Sequence, residues 1–185
     1  SRSKENPGRS ALMRKEITLP GIGVEKARLY VTGLGSYLFY INGDRVGEDL
    51  LTPGWTDYRK RVEYQVYDVT GMLEEGNNAL GAILGNMWWS GGVGWEGGVR
   101  YSEGPLRLMA MLVVTWEDGS VETYTTDTSW KWHDSPIVYD HIYHGETYDA
   151  NLEISGWDEA GFDDASWAAA EAATWEGSVD GPVFP

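Results

Sequence analysis

The sequence predicts an all-β fold, a jelly-roll β-sandwich with little helix. Apolar residues recur with a period of two along most of the chain, as in strands that bury one face. Asn42-Gly43 and Asp118-Gly119 are hairpin dipeptides, because both turn positions tolerate a positive φ. The 185 residues include 24 Gly and 10 Trp, which supply turns and large flat rings.

The elements follow in order. Ala27, Leu29 and Val31 alternate with Arg28, Tyr30 and Thr32 in a half-buried strand. Tyr37 to Ile41 leads into Asn42-Gly43, and Val62 to Tyr67 alternates again. Asn77-Asn78 precedes a strand from Ala79 to Leu84. The longest strand runs from Leu106 to Trp116. It carries Leu106, Leu108, Ala110, Leu112 and Val114 on one face and Met109, Met111 and Val113 on the other. Both faces are expected to be buried, which makes this strand central. Glu117-Asp118-Gly119 turns the chain into Val121, Thr123 and Thr125, and further strands fall near Trp130 and from Pro136 to Tyr139. Ala165 to Ala173 is expected to be a short helix. About eight to ten strands with intervening turns describe a sandwich or jelly roll. One domain is expected over residues 1–185, with its core from about Leu12 to Trp167. The polar start and the absence of an initial Met suggest a piece excised from a longer protein.

The formal net charge of −15 argues against nucleic acid and anionic membrane surfaces as partners. It is compatible with a neutral sugar, a divalent cation or simple solubility. The absence of cysteine excludes disulfides, zinc–thiolate sites and thiol nucleophiles. The compartment, cytoplasmic or secreted, stays open.

Two segments hold the candidate site residues. Trp55, Tyr58, Trp88, Trp89 and Trp95 lie in loop-like sequence beside Asp57, Asn86 and Glu96. Sugars stack their C–H faces on such rings and hydrogen-bond to neighbouring carboxylates and amides. The alternative is that these rings plug the end of the sandwich. The second segment is Tyr143-His144-Gly145-Glu146-Thr147-Tyr148-Asp149. There Glu146 and Tyr148 share a face if the chain is extended. Glu146 either binds a sugar hydroxyl or calcium, or pairs internally with Arg14 or Arg61. Asp140, Glu146 and Asp149 are the candidate calcium ligands, since calcium takes carboxylate and carbonyl oxygens. Asp163-Asp164 reads as a turn and cap, or as a structural cation site. A glycosidase needs two carboxylates flanking one bond; no local motif presents two acids on one strand face beside Trp, while a pair drawn from different strands stays open. His133, His141 and His144 face no Gly-x-Ser-x-Gly elbow.

Several motifs in fixed order resemble one family. They are Ala27 to Gly35, Tyr40-Ile41-Asn42-Gly43, Pro53-Gly54-Trp55-Thr56-Asp57-Tyr58 and Tyr67-Asp68-Val69-Thr70. Leu84 to Trp89, Gly145 to Ala150 and Gly156-Trp157 through Phe162-Asp163-Asp164 complete the set. Together they resemble the N-terminal β-sandwich domain of bacterial α-L-rhamnosidases over roughly Leu12 to Trp167. The resemblance implies a galactose-binding-like jelly roll ahead of a catalytic (α/α)6 barrel that holds the catalytic carboxylates. It also implies, for some such domains, calcium-dependent binding of L-rhamnose. The family pattern Leu-Gly-Asp/Asn-Gly-Trp-Tyr stands here as Leu84-Gly85-Asn86-Met87-Trp88-Trp89, with Met87 in place of a Gly.

The expected function is therefore a non-catalytic carbohydrate-recognition module of an α-L-rhamnosidase. Its expected partners are L-rhamnose-containing glycans and the catalytic barrel of the parent chain. It needs no cofactor, though calcium is admissible. Two other readings stand beside it: a structural module that orients the barrel, and a small glycosidase in its own right.

Overall fold

The computed structural model describes residues 8–21, 23–93, 101 and 105–173. The strands are β1 (Ala11–Leu19), β2 (Val24–Leu34), β3 (Ser36–Ile41), β4 (Asp44–Arg45), β5 (Gln65–Asp68) and β6 (Gly76–Gly85), followed by β7 (Arg107–Trp116), β8 (Val121–Thr125), β9 (Lys131–Asp134), β10 (Ile137–His141), β11 (Gly145–Tyr148) and β12 (Ala168–Ala169). One α-helical turn, α1 (Met87–Ser90), follows β6. A six-stranded sheet has the order β12-β9-β1-β6-β3-β4, a four-stranded sheet the order β5-β2-β7-β8, and β10-β11 form a separate hairpin. The fold is the β-sandwich that the alternation predicts.

Strand parity selects the core. The six-stranded sheet contributes Ile17, Leu19, Phe39, Ile41, Leu80 and Leu84, and the four-stranded sheet contributes Leu29, Val31, Leu112 and Val114. Each fully buried aliphatic side chain stabilises the fold by about 1.5–3 kcal/mol. Trp130 fills the space between the sheets, with its ring edge-on to Phe39 at 6.3 Å. Both hairpin dipeptides turn as expected. Asn42 and Gly43 take φ of 51° and 83°, the pair that a type I′ turn requires. Asn42 Oδ1 also accepts from Ala79 N at 2.9 Å, which ties the turn to β6.

Three expectations are corrected. The second face of β7 is not consumed: Met109 is 42% exposed, and Met111 and Val113 are only half-buried. That face is covered only at one end, where Leu34 packs with Tyr58 and Trp89. Ladder pairing in the Val62 to Tyr67 stretch begins only at Gln65. Ala165 to Ala173 is not a helix, because the sheet edge overrides alanine propensity. Ala168 and Ala169 pair with Trp132 and Lys131 of β9. Trp167 is buried against Phe162 and His133, with ring centroids at 5.7 and 5.3 Å.

The outer face of the six-stranded sheet is covered by the chain after β11, and Arg14 organises that cover. Its guanidinium is almost fully buried and donates to the backbone oxygens of Trp157, Phe162 and Glu159. It also pairs with Asp164 and with Glu16. The cation at Asp164 is thus Arg14 itself. Trp157 lies on Gly81, where an added Cβ would meet its ring at 2.9 Å, and stands edge-on to Tyr40 at 5.8 Å.

Removing one partner of a buried ionic network leaves the others desolvated and unpaired. Arg14→Ala is expected to lower unfolding stability by about 3–5 kcal/mol in urea titrations. Amides of the Trp157–Asp164 segment should lose hydrogen-exchange protection first. A loss below about 1 kcal/mol contradicts this role.

Candidate functional site

The site is built around the turn after β6. Asn86 is fully buried and its backbone N–H donates to Asp140 Oδ1 at 2.8 Å. Its Nδ2 donates to Asp140 Oδ2 at 2.9 Å and to Gly8 O at 2.9 Å. Ser10 Oγ donates to Asp140 Oδ2 at 2.6 Å, and Ser90 Oγ donates to Asn86 Oδ1 at 2.7 Å. The Asp140 carboxylate thus fixes three stretches at once: the start of β1, β10 and the β6–α1 turn. Asn86 is a positioning residue, with its amide consumed internally and not offered to a ligand.

The turn projects Trp88 and Trp89 in different directions. Trp89 is 5% exposed and packs with Tyr58 and Leu34 in a small second core. Its ring meets Tyr58 edge-on at 5.5 Å. Tyr58 is buried, donates to Gly54 O at 3.1 Å, and has its phenol pushed up to about 12 by burial and then by Tyr101. Both rings are therefore core, as the plug alternative anticipated, and neither is a free stacking surface. Trp88 instead lies parallel to Trp55, with centroids 6.1 Å apart and planes 9° from parallel. Trp55 is 55% exposed, and its Nε1–H donates to Tyr101 Oη at 3.2 Å.

The loop carrying Trp55 is locally braced. Thr56 Oγ1 donates to Arg61 O at 2.6 Å, and Lys60 N donates to Asp57 O at 2.8 Å. Asp57 is engaged by Arg59, whose side chain is the main cause holding its carboxyl below the usual carboxylate range. Asp57 thus faces its own basic neighbours. Tyr101 joins the cluster from a distant stretch, edge-on to Tyr58 at 4.9 Å. No local pattern marked it. Trp95 and Glu96 lie outside the described residues.

The second segment stands apart. Glu146 lies opposite Asp140 on β11 and is exposed, so it does not pair with Arg14 or Arg61. Tyr148 is exposed and donates to Glu153 at 2.7 Å. Among the described residues no hydrogen bond or ring contact joins either side chain to Trp55 or Trp88. His144 stacks on His141 at 4.4 Å and thereby consolidates the hairpin turn.

A model of the α-L-rhamnosidase N-terminal domain matches residues 23–180. The chain belongs to that family. An α-L-rhamnosidase of Streptomyces avermitilis is 46% identical over 177 residues, covering 92% of this chain and 17% of that protein. A crystal structure of the S. avermitilis enzyme, complexed with L-rhamnose, aligns with a TM-score of 0.87 at 45% identity over 93% of this chain and 16% of that one. The α-L-rhamnosidase of Aspergillus terreus aligns at 0.86 and 42% identity, covering 90% of this chain and 19% of that one. The chain thus spans less than a fifth of these relatives. A Pleurotus ostreatus lectin, solved with GalNAc, shares the fold at a TM-score of 0.60 and 23% identity, over 98% of this chain and 44% of that one.

In this α-L-rhamnosidase N-terminal domain, Met87 takes a positive φ of 40°, the left-handed region that favours glycine. The Asp140 hydrogen bonds and the helical turn beyond hold it there, and Gly91 N closes the turn on Met87 O at 2.9 Å. The three candidate calcium ligands do not fit an ion in this arrangement. Asp140 is surrounded by N–H and O–H donors, Asp149 Oδ1 accepts from Asn151, and Glu146 is exposed on β11. Among the described residues no three acidic or imidazole groups gather.

A non-glycine residue with positive φ costs about 1 kcal/mol. Met87→Gly is expected to raise stability by about that amount, and Asp140→Ala to lower it by about 2–4 kcal/mol. Denaturant midpoints check both. Neutral results for the pair contradict the account of the turn.

Proposed function

We propose that this domain is a non-catalytic carbohydrate-recognition module of an α-L-rhamnosidase, binding L-rhamnose-containing glycans on the Trp55–Trp88 platform. The observation that carries the reading is the parallel, braced pair of indoles with Trp55 half in solvent. A rigid aromatic face loses little entropy when a sugar ring stacks on it. The rhamnose complex of the 45%-identical Streptomyces enzyme supports the choice of sugar. In this reading glycosidase chemistry resides in the part of a longer parent chain that lies beyond the match. Sugar binding requires no cofactor through Asp140, Glu146 or Asp149.

A second reading, a module that packs on and orients the catalytic barrel, is favoured by the outer face of the four-stranded sheet. Val66, Met109 and Val121 are 47%, 42% and 61% exposed there. They share that face with Tyr30, Met111 and Val113 by register. An apolar face of this kind marks an interaction surface.

Calorimetric titration with L-rhamnose, in calcium and in chelator, tests the first reading. Trp55→Ala is expected to weaken binding about tenfold or more with nearly unchanged melting temperature, and Trp88→Ala to weaken it similarly with a modest loss of stability, since Trp88 also packs on the second core. Trp89→Ala is expected instead to cost about 3–5 kcal/mol of stability. The pure domain should release no aryl alcohol from an aryl α-L-rhamnoside. Absence of binding by the native domain leaves the packing reading, and steady hydrolysis overturns the non-catalytic one.

A further inference from the structure

The sandwich does not close at every end. Where β1 and β9 face β7, the sheets diverge around a cleft of about 1110 Å³. That is the size of sites that take small organic ligands, which run to about 1,000 Å³. The cleft continues the core-facing side of the sheets. Ala11 and Met13 of β1 are in register with Asp134 and Trp132 of β9, and all four line it. Leu108 of β7, two residues before the buried Ala110, lines the opposite wall. Trp132 occupies a core-facing row yet remains 39% exposed, whereas Trp130 just before it is 1% exposed. A large indole held at the mouth of an unfilled apolar cleft is a stacking surface without an occupant from the described chain.

The polar groups at the rim restrict what fits. Asp134 pairs with Arg9 at 3.2 Å, and Asp127 pairs with Lys15 at 3.0 Å. Both carboxylates are neutralised, so the rim offers acceptors and donors without a strong field. Asp134 is 49% exposed, and its Oδ1 accepts no hydrogen bond among the described residues. An ion pair with spare acceptors and donors matches vicinal hydroxyl groups, and an apolar floor with an indole matches a sugar's C–H face. In a chain of net charge −15, a neutral ligand also avoids the repulsion that an anion would meet.

We propose that this inter-sheet cleft is a second glycan site that takes a neutral oligosaccharide. Trp132 is its stacking ring, and Asp134 with Arg9 is its hydroxyl partner. The site is distinct from the Trp55–Trp88 platform and stands or falls independently of it.

The experiment is calorimetric titration of the domain with an α-linked L-rhamnose trisaccharide, in the native background and in Trp55→Ala/Trp88→Ala. Binding that survives loss of the platform and drops about tenfold or more on Trp132→Ala supports the proposal. Ala172→Trp, at an exposed lining position, narrows the cleft without removing its ring and should weaken binding in the same background. It serves as the arbiter if Trp132→Ala fails to fold. The proposal is overturned if the trisaccharide does not bind once the platform is removed. Residual binding that is indifferent to Trp132→Ala, or to Ala172→Trp where that variant arbitrates, overturns it equally. Failure of the platform variants to change binding in the native background bears on the first site alone.

Discussion

The Asp140 carboxylate on β10 accepts from Ser10, from the backbone and side chain of Asn86, and from the edge of the Met87 turn. Hydrogen bonds to a charged acceptor contribute about 1.5–3 kcal/mol, more than neutral ones. They hold together elements more than fifty residues apart in the chain. Without them nothing would stabilise the positive φ at Met87, and the direction in which Trp88 and Trp89 leave the sheet would be free. With them, one indole goes into a small core and the other goes parallel to Trp55. The candidate site is therefore a consequence of a polar network that touches no ligand.

Arg14 plays the matching part farther along the outer face of the same six-stranded sheet. A buried guanidinium is costly unless each donor finds an acceptor, and here backbone oxygens and carboxylates of the late chain supply them. The two networks divide the aromatic residues by task. Trp116 and Trp130 join the central core, Trp89 joins the second core, and Trp157 and Trp167 cap the outer face. Trp55 and Trp132 are the exposed ones among the described residues.

Strand positions, hairpins and family were legible because they rest on local patterns. Asn42-Gly43 and Asp118-Gly119 could hardly be anything but turns, and the parity of Leu29 and Leu112 assigned their faces. The site was legible only in part. Sequence grouped Trp55, Tyr58, Trp88 and Trp89 through shared loop-like context, but burial is set by contacts such as Trp89 with Tyr58, which no local spacing reveals. Tyr101 and Ser10 reach the site through tertiary packing alone. Asp140 and Asp149 are calcium candidates by residue type alone, and the amide partners Asn86 and Asn151 that the fold gives them carry no local signal. Ala165 to Ala173 misled for the opposite reason: its local preference was clear, and pairing with β9 outweighed it.

The account's central claim is that the parallel Trp55–Trp88 pair, and not the fully buried rings beside it, meets the sugar. The most direct measurement follows the indole N–H resonances of the ¹⁵N-labelled domain during titration with L-rhamnose. Saturable shifts of Trp55 and Trp88, with Trp89, Trp116 and Trp130 unmoved, are the predicted result. Unmoved Trp55 and Trp88 at sugar concentrations that saturate binding would contradict it.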